Sequence, residues 1–444
     1  MNNSTDKKGL NISAKSFVTA ILVIFVLMIL TYGLTFVVPG GGIPLWKWAL
    51  SPVLVLGSEG YESLIAVIAF LLIIGGVFNC LDKCGLMKYM LDKITYRFGK
   101  ERYRLLALVT LFFMAMGSFI GSFEECVPMV PIVVALAIRL GWDALTGLGM
   151  SLLAIGCGFS AGVCNPFTVG VAQSLEVVNL PMFSGMSMRI LAFVLVYALL
   201  CGFLLLYAKK IEKPIEVNKA DGEFQENQHM NKALFLFAGI MLGGIAVVLC
   251  SIFIPALQSA TMIIVAVTFL AAGMISSVVS KSGEKLCIIF KDGLVSVLPA
   301  VVMILMANSI KYTMEEGNIL NTIVEGAISV AGNLPKWSVI LFIYLIVLGM
   351  NFFISSGSAK AFLLMPFIVP VAQTFGISAQ LCVLAYAFGD GFSNVFYPTN
   401  PVLLISLGLA DVDYGKWVKW SLKFQIMNLI LTSGLLVLGL AIGY

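Results

Sequence analysis

Two adjacent glutamates, Glu124 and Glu125, an aspartate held between two glycines, Asp390, and a lysine, Lys360, stand inside stretches that are otherwise apolar. A carboxylate near mid-bilayer costs about 2.5–3.5 kcal/mol on the insertion scale, so packing alone does not retain one there. Such carboxylates need a cation, a proton or a basic partner. Glu124 and Glu125 follow Ser118 and Ser122 in a short run of small and polar residues, Gly117–Glu125. A second polar run carries Ser355, Ser356, Gly357, Ser358 and Lys360. Its hydroxyls and backbone amides suit a carboxylate. Lys360 has three readings: a partner for that carboxylate, a partner for Asp390, or a side chain that snorkels to water.

Two further segments carry backbone chemistry. Gly156–Thr168 holds Gly156, Gly158, Gly162 and Pro166, with Asn165 and Thr168 supplying side-chain oxygens. Gly389–Pro401 holds Gly389, Gly391, Pro398 and Pro401, with Asp390, Ser393, Asn394, Thr399 and Asn400. Glycine and proline predict a broken helix in each. Unwound amides and carbonyls in lipid are tolerated only where they line a protein or water cavity. A half-helix starting at Pro166 or Pro401 turns its N-terminal amides, with partial positive charge, into that cavity. Taken together, the candidate substrate-binding residues offer groups for both anions and cations. Lys360 is the only basic side chain in these runs, which suits a zwitterionic or cationic amino acid better than a bare dicarboxylate.

The elements that must position these groups are spaced by a repeat. Pro131 pairs with Pro366, Gly141 with Gly376, Gly156 with Gly391, Asn165 with Asn400 and Pro166 with Pro401, a constant step of 235 residues, as from 131 to 366. The two halves therefore break at equivalent points, which is the mark of a secondary transporter built from two related halves. The division is 1–208, a linker at 209–230, and 231–444.

Composition agrees. The chain has 444 residues, 60% hydrophobic and 11% charged, whereas a soluble domain carries about 25% charged residues. It is expected to be an all-α polytopic membrane protein. Apolar spans are expected at about 17–38, 60–81, 143–178, 187–208, 232–255, 260–280, 286–310, 378–410 and 417–440, given the roughly 20 residues that cross a bilayer. Two other stretches, at about 104–140 and 337–375, read as paired arms joined by the two polar tips. Lys and Arg gather before residue 16, at 83–104, at 209–219 and near 281–291. By the positive-inside rule these regions and the N-terminus are cytoplasmic. Basic flanks on the first pair of arms and neutral flanks on the second predict two re-entrant hairpins of opposite orientation, hence inverted-topology repeats. Residues 85–103 read as an amphipathic helix on the membrane surface, with a counterpart at about 317–331. The linker reads as a flexible cytoplasmic segment.

Several chemistries are excluded. The single histidine, His229, lies in the linker, so proton relays, Ser/His dyads and metal sites that need intramembrane histidine drop out. The nine cysteines are scattered, and the pair Cys80 and Cys84 lacks the partners of a zinc site. There is no Walker loop for ATP. The net charge of +4 lies in loops and gives no reason to expect nucleic acid. No cofactor or assured metal is expected; Asn165, Thr168, Thr399 and Asn400 are the oxygens to which a Na⁺ would fall, and Na⁺ or H⁺ coupling stays open.

At Gly117–Pro131, Gly156–Gln173 and Gly389–Pro401 the chain resembles the YfcC-type family, grouped with the C4-dicarboxylate carriers of DcuC type in the ion transporter superfamily. The resemblance covers nearly the whole chain. It implies two inverted repeats, each with a re-entrant hairpin and a broken helix, a scaffold domain that often dimerises, and a transport domain that moves as an elevator. Members resembling this chain carry the label of basic amino acid antiporters, including arginine/ornithine exchangers; related families carry dicarboxylates with Na⁺ or H⁺. The expectation is a secondary active transporter of the cytoplasmic membrane with a small-molecule substrate, either a basic amino acid antiporter or a Na⁺- or H⁺-coupled carboxylate carrier, and not an enzyme.

Overall fold

A computed structural model describes residues 14–39, 41–58, 62–121, 123–181, 184–214, 226–250, 261–280, 285–320, 322–323, 326 and 335–444. Helices α1 (Ala14–Thr35) and α2 (Glu62–Lys83) are followed by α3 (Leu86–Phe98). The first pair of arms is α4 (Arg102–Ala115), extended by a π-turn at Met116–Ile120, and α5 (Val130–Arg139), preceded by a 3₁₀ turn at Glu124–Met129. Then come α6 (Ala144–Leu148), joined through a π-turn at Gly149–Leu153 to α7 (Ala154–Ala161), and a half-helix of a π-turn at Pro166–Gly170 with α8 (Val171–Ser174). Helix α9 (Met186–Ile211) closes the first half.

The second half has α10 (Gln228–Cys250), α11 (Thr261–Val279), α12 (Leu286–Ser296) and α13 (Leu298–Glu316). Its pair of arms is α14 (Lys336–Asn351) and α15 (Gly357–Thr374). Helix α16 (Ala379–Gly391) runs into a 3₁₀ turn at Phe392–Val395, the chain restarts as α17 (Pro401–Leu409), and α18 (Tyr414–Ile442) ends the fold. No strand occurs among the described residues. Five helical stretches there are long and apolar enough to cross a membrane: Leu86–Ile120, Ala144–Ser174, Met186–Ile211, Leu286–Glu316 and Tyr414–Ile442.

Proline and glycine explain where these helices stop. Pro299 lies in the first turn of α13, where its missing N–H leaves no gap, and the expected single span at 286–310 divides there into α12 and α13. Helix α5 ends at Gly141, with φ 88°, and α15 at Gly376, with φ 67°. The two turns use matching bonds: Gly141 N donates to Ile138 O and Trp142 N to Ala137 O, while Gly376 N donates to Gln373 O and Ile377 N to Ala372 O. Only glycine takes this left-handed geometry at little cost, and both caps close the last helical carbonyls. The next helix in each half then starts on a side-chain cap, Asp143 accepting from Thr146 N at 2.9 Å and Ser378 from Leu381 N at 3.1 Å.

The apolar interior is divided in two. Phe70, Ile74, Val77 and Phe78 of α2 meet Ala233 of α10 and Ala266 and Phe269 of α11 in one cluster. The broken helices, both pairs of arms, α9 and α18 share another. Small residues let membrane helices approach closely: a Cβ on Gly293 of α12 would lie 2.8 Å from the Cα of Gly76 on α2.

The stretch expected to be an amphipathic helix is helical over α3, with Leu86 and Leu91 buried. Its expected counterpart at 317–331 lies mostly outside the described residues. The described ends of the linker are docked. Arg102 at the base of α4 donates to Glu212 at 2.5 Å and to Lys213 O at 3.2 Å, and Lys213 N donates to Gly141 O at 2.8 Å. Beyond 215–225, which lie outside the described residues, Asn227 N donates to Tyr89 Oη of α3 at 3.3 Å and Lys93 of α3 donates to Glu226 at 3.5 Å. Arg139 and Asp92 tie α5 to α3.

Candidate substrate site

The first polar tip is the partner that the first break needs. Helix α7 stops at Gly162, whose φ is 46°, which frees the next backbone amides. Val163 N donates to Ser118 Oγ at 3.0 Å and Cys164 N to Ser118 O at 3.1 Å. Asn165 Nδ2 donates to Gly117 O at 3.4 Å, and its Oδ1 caps the half-helix by accepting from Phe167 N at 2.9 Å and Thr168 N at 3.3 Å. Pro166 occupies the first helical position, where proline is favoured. The unwound stretch is thus satisfied by the tip and by its own cap.

The second break is tied down by a denser network. Asn351, the last residue of α14, donates from Nδ2 to Asp390 O at 3.0 Å, Ser393 Oγ at 2.6 Å and Asn394 Oδ1 at 3.1 Å. Asn394 Nδ2 donates to Asp390 O at 2.7 Å, and Asn400 Nδ2 to Asn394 Oδ1 at 3.0 Å. Asn400 Oδ1 caps α17 by accepting from Val402 N at 2.9 Å, as Asn165 caps its own half-helix. Ser356 caps α15 through Ala359 N at 3.4 Å, and Ser355 is half-buried beside it.

Lys360 settles the choice among its three readings: it does not snorkel. It is fully buried, and its ammonium donates to Asp390 Oδ1 at 2.5 Å, to Ile354 O at 3.2 Å and to Asn351 Oδ1. A buried pair of this kind is tolerable because the ammonium has three acceptors. Asp390 is equally buried, but its Oδ2 has no hydrogen-bond partner among the described residues. The same holds for the hydroxyls of Thr168 and Thr399. Gly357 is where the parts converge: a Cβ there would lie 2.7 Å from Asp390 Oδ2 and 2.8 Å from Thr168 Cγ2. Tyr386 donates to Gly357 O, and Ser358 Oγ donates to Phe167 O at 2.9 Å. The second tip therefore touches the first break as well as its own.

The structure brings together Ser118, Asn165, Thr168 and Ser358 at the first break, and Lys360, Asp390, Ser393, Asn394 and Asn400 at the second. Ser122 lies outside the described residues. Glu124 and Glu125 lie on the 3₁₀ turn that leads into α5, and only their backbone is described. The four helix-breaking glycines require correction. Gly156, Gly158, Gly389 and Gly391 lie within α7 and α16, not in unwound backbone. They serve close packing: a Cβ on Gly156 would sit 2.7 Å from Val395 Cγ1, one on Gly389 2.8 Å from Val347 Cβ, and one on Gly158 would strike the Met114 carbonyl. Pro398 lies in the turn between the two pieces of the second break, and Pro401 starts α17.

Two oxygens assigned to Na⁺ are otherwise engaged. Asn165 and Asn400 accept backbone amides at helix N-termini, whose partial positive charge opposes a cation. Sequence reading also missed three groups. Asn351 organises the second break, and its position as the one amide at the end of an apolar arm was the available signal. Tyr386 gave none, since a tyrosine in an apolar span is ordinary. Arg189 is fully buried at the start of α9 and donates to Val163 O at 3.3 Å, so Lys360 is not the only buried base.

Comparison with known proteins agrees with this architecture. The chain is 29% identical over 414 residues to an Escherichia coli (strain K12) protein named "Putative basic amino acid antiporter YfcC", covering 87% of this chain and 80% of that one. It is 25% identical over 393 residues to a Haemophilus influenzae protein, covering 85% and 76%. The solved YdaH transporter of Alcanivorax borkumensis superposes over 96% of this chain and 99% of its own, with a TM-score of 0.50 at 18% identity, a likeness of fold. Residues 49–441 match the family described as C4-dicarboxylate anaerobic carrier, so this membrane transporter belongs to the DcuC family.

Proposed function

We propose that the protein is an antiporter of the cytoplasmic membrane that exchanges basic amino acids, of the arginine/ornithine type, by alternating access. The observation that carries this reading is Asp390. One carboxylate oxygen holds Lys360, while the other, Oδ2, is buried and has no hydrogen-bond partner among the described residues, as is true of the hydroxyl of Thr168, whose methyl carbon lies with Oδ2 against Gly357. The carboxylate oxygen calls for a hydrogen-bond donor of the kind a guanidinium or ammonium supplies. The name borne by the YfcC relative agrees. Exchange of two like-charged substrates requires no coupling ion.

In this reading 1–208 and 231–444 are inverted repeats joined by 209–230, and each pair of arms is a re-entrant hairpin whose tip serves the adjacent break. The matched turns at Gly141 and Gly376 and the matched caps at Asn165 and Asn400 support it. The separate cluster of α2, α10 and α11 supports an elevator in which that cluster is the scaffold, able to dimerise, and the broken helices travel. The N-terminus is cytoplasmic. The candidate residues are those of the two breaks and tips, with Glu124 or Glu125 as further acidic groups.

A second reading, Na⁺- or H⁺-driven uptake of a carboxylate, is favoured by Arg189, a buried base bonded to the first break. Counterflow in proteoliposomes separates the two. Labelled arginine should exchange for internal ornithine without a Na⁺ or H⁺ gradient. Failure of that exchange, with succinate moving in a Na⁺ gradient, overturns the first reading in favour of the second.

A further inference from the structure

The surroundings of the Lys360 ammonium are those of a cation site whose cation is attached to the chain. Three oxygens accept from it: Asp390 Oδ1 of α16, Asn351 Oδ1 at the end of α14, and the backbone carbonyl of Ile354 in the tip between α14 and α15. Lys360, Asp390 and Asn351 are 0%, 0% and 1% exposed. The Asn351 amide is fixed in orientation, because its Nδ2 already faces Asp390 O, Ser393 Oγ and Asn394 Oδ1. Its oxygen is therefore the atom turned to Lys360. Ile354 O belongs to no helix, since α14 ends at Asn351 and α15 starts at Gly357.

This set of ligands selects its occupant. Three acceptors need three donors, and a water supplies two hydrogens where an ammonium supplies three. One of the acceptors carries a full negative charge, which a neutral group leaves uncompensated. Unwound carbonyls at a broken helix are the ligands with which secondary transporters hold a coupling ion, and here a side chain of the same chain takes that place. The tether is anchored. Lys360 lies in the first turn of α15, with its backbone N bonded to Ser356 O at 3.0 Å, and the same turn is held by Tyr386 on Gly357 O and by Ser358 on Phe167 O. We infer that Lys360 is a tethered counter-cation: it fills the cation place of the second break permanently, so no coupling cation enters there in any step of transport. The inference rests on the alternating-access reading above, but not on which cargo is carried, since the cargo's contact in that reading is the other oxygen, Asp390 Oδ2.

The test empties the place and refills it from solution. Lys360→Ala removes the ammonium and leaves the three oxygens. In choline chloride its unfolding temperature should fall below that of wild type. Propylammonium chloride, which carries the missing part of the side chain, should raise it saturably at constant ionic strength, because a ligand bound only by the folded state stabilises that state. Wild type, whose place is filled, should show no such rise, and neither should Lys360→Ala with Asp390→Asn, which lacks the negative charge. Proteoliposome counterflow, with the substrate that wild type moves in the assay above, gives the functional arm. Lys360→Ala should be inactive in choline chloride and regain exchange with propylammonium or NaCl, while wild type runs at one rate in choline chloride and NaCl. The unfolding arm contains no substrate, so its failure is separate from a failure of arginine exchange. Should Lys360→Ala not fold, Lys360→Arg, which keeps the charge, should unfold at a higher temperature than Lys360→Met, which fills the space without it. The inference is overturned if Lys360→Ala ignores propylammonium, if wild type or the double variant shares the response, if exchange stays lost while the unfolding temperature recovers, or if Lys360→Met is the more stable of the last two variants.

Discussion

Gly391 lies directly on the backbone of Ser160, so close that a Cβ would overlap its N and Cα. The reverse contact also exists: Gly156 lies on the side chain of Val395. Residues 156 and 391 are equivalent under the 235-residue step, and so are 160 and 395. Each half therefore presents a glycine to the same position of the other, as two partners do across a twofold axis. Ser160 Oγ reaches the Phe388 carbonyl at 3.4 Å across this contact.

Replacing either glycine with alanine should harm the crossing of α7 and α16. Overpacking a core typically costs about 1–3 kcal/mol, and the clash at Gly391 is with backbone, which cannot rotate away. Gly391→Ala is expected to lower the unfolding temperature more than Gly156→Ala, whose neighbour is a valine side chain. Equal effects in thermal unfolding would contradict the asymmetry of these contacts.

The Lys360–Asp390 pair gives an opposite pattern for single and double changes. Removing one partner of a buried pair leaves the other charge unpaired, at a cost of about 3–5 kcal/mol, whereas replacing both with apolar groups is often neutral. Asp390→Asn and Lys360→Met should each destabilise the protein, and Lys360→Met with Asp390→Leu should recover most of the loss while remaining inactive in transport. Denaturant unfolding compared with proteoliposome uptake checks both halves of this expectation.

The two asparagine caps should respond alike. Asn165→Ala and Asn400→Ala each remove a side-chain acceptor from a half-helix N-terminus, at about 0.5–2 kcal/mol. Asn165→Asp retains the acceptor and should cost less than Asn165→Ala. Hydrogen exchange of the amides of Phe167 and Val402 reports each cap directly, and unchanged protection in the alanine variants would refute the assignment.

At the base of the first arms, the Arg102–Glu212 pair is partly exposed and bears little on global stability, about 1 kcal/mol or less. Its work is local, holding the start of the linker. Arg102→Met should leave the unfolding temperature nearly unchanged while accelerating proteolytic cleavage near 212–214. A variant cleaved at the wild-type rate would show that the bonds of Lys213 N to Gly141 O and of Tyr103 to Glu212 suffice without Arg102.

How far the sequence could be read depended on what each residue needed. Apolar length marked the helical stretches at Ala144–Ser174, Met186–Ile211, Leu286–Glu316 and Tyr414–Ile442, because a bilayer imposes one. Pro166, Pro401, Asn165 and Asn400 announced the two restarts, since proline and a short amide have few other uses in lipid. Gly156 and Gly391 were legible as equivalent but not in role: glycine serves both a turn and a close crossing, and only the neighbouring chain decides which. Lys360 showed the same limit, for its partner lay 30 residues away and across a hairpin. Arg189 escaped notice because nothing local marks a base at a helix start as buried.

The self-neutralised pair at Lys360 and Asp390 bears on what drives movement. A buried pair of equal and opposite fixed charges has no net charge, so the membrane potential, worth about 2.3 kcal/mol per elementary charge per 100 mV, does no work on that pair as it moves. What voltage acts on is then the cargo together with any fixed charge outside the pair: a cation swapped for another of equal charge adds nothing to that work, while a cation moving alone follows the field.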